Sequence, residues 1–126
     1  MLIEHIEFSP TDLPPELAED HVFRFCKFDK LGETLASMFD ATFLSCSFKE
    51  CEFYWTLFTV ALFFECKFEN CSFRGVSFAD CHFVECHFEG CAFTKGNIGG
   101  PCTSEKTIWY GCTHSNCTGL ESVWRS

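Results

Sequence analysis

The sequence predicts an all-β solenoid, and three observations carry that prediction. Phenylalanine occupies every fifth position from Phe43 to Phe93 without a slip. Two places ahead of each stands a small residue, in the series Ala41, Cys46, Cys51, Thr56, Ala61, Cys66, Cys71, Val76, Cys81, Cys86 and Cys91. Neither regular element accommodates a period of five. On a helix, five residues advance about 500°, so successive rings would spiral around the whole surface. On a flat strand, a step of five flips each ring to the opposite face. Only a chain that turns a corner in every repeat can point all of these rings into one core.

Taken in order, residues 1–20 read as an N-terminal cap over the first coil. LIEHIEF has a short strand-like pattern, and Pro14-Pro15 punctuates before PELAED, one possible helical turn with Pro15 at its start. The repeat phase runs back through HVFRF, CKFDK and ASMFD. LGETL at 31–35 keeps register but puts Glu33 at a centre position, so a bulge or projecting loop is expected there. The solenoid proper therefore spans 21–100. Beyond Phe93 only Ile98 holds the phase before Gly99, Gly100 and Pro101 break it. Cys102, Cys112 and Cys117 resume the beat one residue out of frame. Residues 101–126 are expected to form a C-terminal cap or a degraded final coil, with Trp109, Tyr110, Leu120 and Trp124 over the open end.

CKFEN, CSFRG, VSFAD, CHFVE, CHFEG and CAFTK resemble the pentapeptide-repeat family, and the resemblance covers about residues 21–100. It implies a right-handed quadrilateral β-helix of about four coils, four repeats to a coil, with the centre and small residues inward. Residues twenty apart then stack, and the outward residues sort into faces. The first face holds CKFDK, CSFKE, CKFEN and CHFEG; the second LGETL, CEFYW, CSFRG and CAFTK. The third holds ASMFD, TLFTV, VSFAD and GNIGG; the fourth HVFRF, ATFLS, ALFFE and CHFVE.

The chain has 126 residues, eleven cysteines and a net charge of −9. That length suits one domain with its own core. No run approaches the roughly 18 apolar residues of a membrane span, and the N-terminus lacks a basic leader. Eight of the cysteines share the phase of the repeat, which favours free thiols packed as small hydrophobes in a reducing cytoplasm over a disulfide framework. Cys102, Cys112, His114 and Cys117 are ligand types, yet their spacing matches no zinc knuckle, so no metal is expected. His82 and His87 fall on outward, solvated positions. No catalytic constellation or glycine-rich phosphate loop is present, and neither an enzyme nor a cofactor nor a small-molecule substrate is expected.

What remains is surface. The first face alternates sign through Lys27, Asp29, Lys30, Lys49, Glu50, Lys67 and Glu69 and reads as a solvated wall. The fourth face instead stacks Leu44, Phe64 and Val84, with Leu62 beside them. Phe39, Leu57 and Val60 lie on the third face, and Tyr54 and Trp55 on the second. The fold directs these outward, so packing does not require them, and a contiguous apolar surface marks a contact site. The partner expected is a second copy, as a homodimer, or another protein, with the chain's own tail as an intramolecular cover. The resemblance also implies an alternative: some pentapeptide-repeat proteins protect type II topoisomerases from quinolones or peptide toxins by mimicking duplex DNA. Four coils rise only ~15–20 Å, where duplex DNA would present on the order of ten charges. Residues 21–100 carry ten acids against seven bases, and most of the surplus acidity sits in residues 1–20. Direct nucleic-acid or membrane binding is not expected.

Overall fold

In the computed structural model the chain winds as a right-handed quadrilateral β-solenoid of about four full turns, with partial turns at both ends. The structure describes residues 2–11, 21–32, 37–39 (backbone only), 41–54, 56–95, 102–120 and 123. Glu33, Trp55, the Pro14–Asp20 stretch and Trp124 lie outside the described residues.

Each repeat contributes a strand of three residues centred on the phenylalanine, then a corner. The fourth face is a six-stranded parallel sheet: Leu2–Glu4, Val22–Arg24, Thr42–Leu44, Leu62–Phe64, His82–Val84 and Ile108–Tyr110. The first face stacks six strands likewise, from Glu7–Phe8 to Thr113–Ser115. Four described strands make the third face and three the second. Register is exact at twenty residues through the middle, as in Leu62↔Thr42 and Leu62↔His82.

The corner explains the period. At fifteen described corners from His5 to Asn116 the residue two past the centre adopts a left-handed backbone, with φ between 50° and 64°; Pro10 and Lys95 do not. Twelve of these residues are not glycine, although that conformation costs roughly 1–2 kcal/mol for a residue with a Cβ. The corner N–H offsets part of that cost by donating to the next layer: Glu65 N to the Val84 carbonyl at 2.9 Å, Ser45 N to that of Phe64 at 2.8 Å.

Inside, phenylalanine suits the layer spacing. Strands in a parallel sheet lie ~4.8 Å apart, a comfortable stacking distance for rings. The Phe28, Phe48, Phe68 and Phe88 rings accordingly stack at 4.6, 4.8 and 4.7 Å with planes within 7°. Neighbouring columns meet edge-on or tilted, as Phe43 meets Phe48 at 5.3 Å and 67°. Cysteine packs the corners and adds a hydrogen bond. Each interior thiol donates to the centre carbonyl of the layer before it, Cys46 to Phe23 at 3.2 Å and Cys66 to Phe43 at 3.3 Å. All eleven cysteines are free thiols, and burial pushes those of Cys81 and Cys102 up.

At the tail, register changes from twenty residues to twenty-six. Ser77 pairs with Leu57 on one side and with Thr103 on the other. Six extra residues are thus accommodated after Thr94, and the chain then rejoins the stack. Ser104, Trp109 and His114 stand where phenylalanine stood, and Trp109 stacks on Phe83 at 4.2 Å. The one-residue frame slip in the tail is this insertion. Residues 2–8 are likewise strands of the stack, with Ile3 opposite Phe23 and Phe8 opposite Phe28.

Candidate contact surface

Because centre and small residues point inward, two rows of side chains stand outward on every face and run along the rod. They flank a shallow trough. On the second face that trough is an open groove of about 280 Å³ between Glu52, Tyr54, Ser72, Arg74 and Thr94. On the first it is about 220 Å³, edged by Glu7, Lys27, Asp29, Ser47 and Lys49. Both are polar.

The fourth face differs in its rows. Along one, strand pairing places Leu44 beside Phe64, Phe64 beside Val84, and Val84 beside Tyr110. Along the other, Leu62 lies between Thr42 and His82, and Ile108 follows His82. Leu44, Leu62 and Val84 are half-buried by their neighbours; Phe64, Ile108 and Tyr110 are exposed. Ile108 and Tyr110 extend the patch by a layer that the sequence reading did not include. The signal was available in the 26-residue offset that places Tyr110 over Val84.

The remaining candidates divide. Val60 is 52% exposed and turns the corner between the third and fourth faces, next to Leu62, with Leu57 exposed just before it. Val60 is also a β-branched residue held at φ 53°, a conformation in which such residues are rare. Phe39 belongs to the Ser37–Phe39 strand of the third face. Tyr54 is not part of this patch: it sits on the second face, under the Arg74 guanidinium at 5.6 Å from its ring centroid.

Charge rims the patch. Glu65 and Glu85 occupy consecutive corners on the first-face side, and Asp80 a corner on the third-face side; all three are exposed. Among the described residues none of the three makes an ion pair, whereas Lys67 pairs with Glu69 on the first face, His87 Nε2 lies 3.5 Å from Glu89, and Arg24 pairs with Glu4 at the N-terminal end of the fourth face. His87 also meets Thr113 Oγ1 through Nδ1 at 2.6 Å. The described residues carry eleven acids and eight bases, a net of −3.

The tail ligand types do not converge. Cys102, Cys112 and Cys117 precede strands of three different faces, and their thiols donate to the carbonyls of Phe73, Phe83 and Phe88. Among the described residues no three His, Cys, Asp or Glu side chains gather as a metal site. No described helix is long and apolar enough to cross a membrane.

A family model described as pentapeptide repeats matches residues 61–100 in eight copies. Among solved structures, the chain is similar to Rfr23, a pentapeptide repeat protein from the cyanobacterium Cyanothece 51142. The identity is 11%, over 93% of this chain and 83% of that one, with a TM-score of 0.55. A looser likeness is to QnrB1, a plasmid-mediated fluoroquinolone resistance protein. It has 14% identity over 92% of this chain and 66% of that one, and its TM-score of 0.35 is too low to carry an argument. Comparison with curated proteins finds no match. The eight matched repeats, the four-sided coil and the inward phenylalanine columns agree: residues 61–100 carry the repeats of the pentapeptide-repeat family, on a fold shared with a solved pentapeptide repeat protein.

Proposed function

We propose that this protein is a non-enzymatic interaction module, a rigid scaffold whose fourth face is its contact surface. The observation that supports this reading is the outward row Leu44, Phe64, Val84 and Tyr110. The fold makes no demand on those positions. At the equivalent places on the first face stand Lys49, Glu69, Glu89 and Ser115, and the coil closes equally well. Contiguous apolar surface of this kind marks a binding site on a folded protein. The face serves either self-association or docking of another protein. Light scattering over a wide concentration range, with and without Phe64→Glu, tests it alongside binding of an apolar dye. The reading expects association or dye binding that the variant loses. A wild type that is monomeric throughout and binds no more dye than the variant would sink it.

A second reading is modulation of a type II topoisomerase such as gyrase by duplex mimicry, with protection from quinolones or peptide toxins. The observation in its favour is local. Glu65 and Glu85 turn the corner between the fourth and first faces in two adjacent layers, and Glu69 and Glu89 stand on the far side of the first face in the same layers. Against it stands the whole rod: six layers rise ~24 Å, over which duplex DNA carries about fourteen charges, and the described surplus is three. A supercoiling assay with and without quinolone decides it. An effect at micromolar protein that Glu65→Lys/Glu85→Lys abolishes supports mimicry; no effect removes it.

A further inference from the structure

We infer that the occupant of the fourth face is a basic amphipathic helix of a partner protein, lying along the rod axis with its apolar stripe over the two outward rows. This rests on the reading of that face as the contact surface.

The dimensions select the shape. Three residues of strand give a face ~10 Å wide, the diameter of one helix with its side chains at about 10–12 Å. Six layers give ~24 Å of length, matched by a helix of about 16 residues; the apolar stripe covers the four layers from Leu44 to Tyr110, and the two layers before them carry the Arg24–Glu4 ion pair in that row. A helical turn advances 5.4 Å against a layer spacing of ~4.8 Å. One apolar side chain per turn therefore meets about one layer, drifting by only ~2 Å over three turns. An extended strand laid along the same axis would repeat every ~6.8 Å on one side and lose register after a single layer.

The charges select the chemistry. Glu65 and Glu85 flank the Phe64–Val84 row on one side and Asp80 flanks the His82 side, with Lys106 at the next corner beyond it; among the described residues none of the three carboxylates has an ion-pair partner. Lys and Arg on both shoulders of a helix, either side of its apolar stripe, meet those three carboxylates. A second copy fits less well. Each copy carries a net charge of −9, and parallel rods related by a two-fold axis along the face would set the Glu85 edge of one against the Asp80 edge of the other.

The test uses the whole protein and two fluorescent helical peptides of about 16 residues. Both carry leucine at i, i+3, i+4 and i+7 spacing; one has lysine on both shoulders, the other glutamate. The lysine peptide is expected to bind about fivefold to tenfold tighter than the glutamate peptide at low salt. Phe64→Glu separates seating from bulk attraction, because it adds a negative charge to the face. Docking on the row predicts weaker lysine-peptide binding to the variant; nonspecific attraction predicts tighter binding, which would overturn the inference. Glu65→Lys/Glu85→Lys is expected to reverse the peptide preference, and an unchanged preference overturns the charge match. If neither peptide binds while the wild type self-associates through a contact that Phe64→Glu breaks, the helix is wrong and the interaction module stands. If neither peptide binds and Phe64→Glu changes nothing, both readings fail.

Discussion

The first and fourth faces are built from the same repeat, stacked to the same six layers and sealed by the same inward phenylalanines, yet their outer surfaces have little in common. The first presents Lys27, Asp29, Lys49, Lys67 and Glu69, with the Lys67–Glu69 ion pair across the trough. The fourth presents Leu44, Leu62, Phe64, Val84, Ile108 and Tyr110, with Thr42 and His82 beside Leu62 and the Arg24–Glu4 ion pair confined to its N-terminal layers. Since the inward requirements are identical, the contrast separates what the fold needs from what it leaves open. Inward positions report architecture, and outward positions report use.

The largest expected effect falls on what the two faces share. Phe68 is stacked between Phe48 and Phe88 and touches the fourth-face column through Phe63 at 5.6 Å. Phe68→Ala should cost about 3–5 kcal/mol in chemical denaturation. A loss below 1 kcal/mol would mean that the columns do not hold the faces together.

Next comes the contrast itself. Phe64→Glu should abolish association or peptide docking while moving unfolding stability by no more than about 0.5 kcal/mol, and Glu69→Phe on the first face should leave binding to the fourth face unchanged. Equal effects from both variants would erase the distinction. At the edge between the third and fourth faces, Val60→Gly relieves a β-branched residue in a left-handed corner and should stabilise by about 1 kcal/mol. If it destabilises, the side chain contributes to folding and leaves the contact patch. The smallest effect is expected from Lys67→Ala, which removes the 3.3 Å pair with Glu69. Both groups keep substantial contact with water, so denaturation should register at most about 0.5 kcal/mol.

Why the interior was legible and the ends were not follows from the same division. Burial leaves few choices, so eleven phenylalanines in phase declared the square coil and its faces outright. Ile3 and Phe8 stand twenty residues before Phe23 and Phe28, but with nine residues between Thr11 and His21 unaligned to any repeat their phase looks accidental. In the tail, six inserted residues shift the frame, and Ser104, Trp109 and His114 remove the phenylalanine that would have marked it. The apolar row was readable only where register was known. Leu44, Phe64 and Val84 were therefore placed together, whereas Tyr110 awaited the offset of twenty-six. Tyr54 falls on the second face in the repeat count and in the structure alike, around the coil from that row.

That separation of the chain's two tyrosines supplies the most direct test of the central claim. Fluorotyrosine incorporated at both positions gives two ¹⁹F resonances, one for Tyr110 on the fourth face and one for Tyr54 on the second, assigned by Tyr→Phe variants. They are followed through a dilution series and a titration with the lysine-flanked peptide. The Tyr110 signal is predicted to shift or broaden as the face is occupied while Tyr54 stays still. Movement of Tyr54 alone, or of neither under conditions where binding is measured independently, would contradict the assignment of the fourth face as the contact surface.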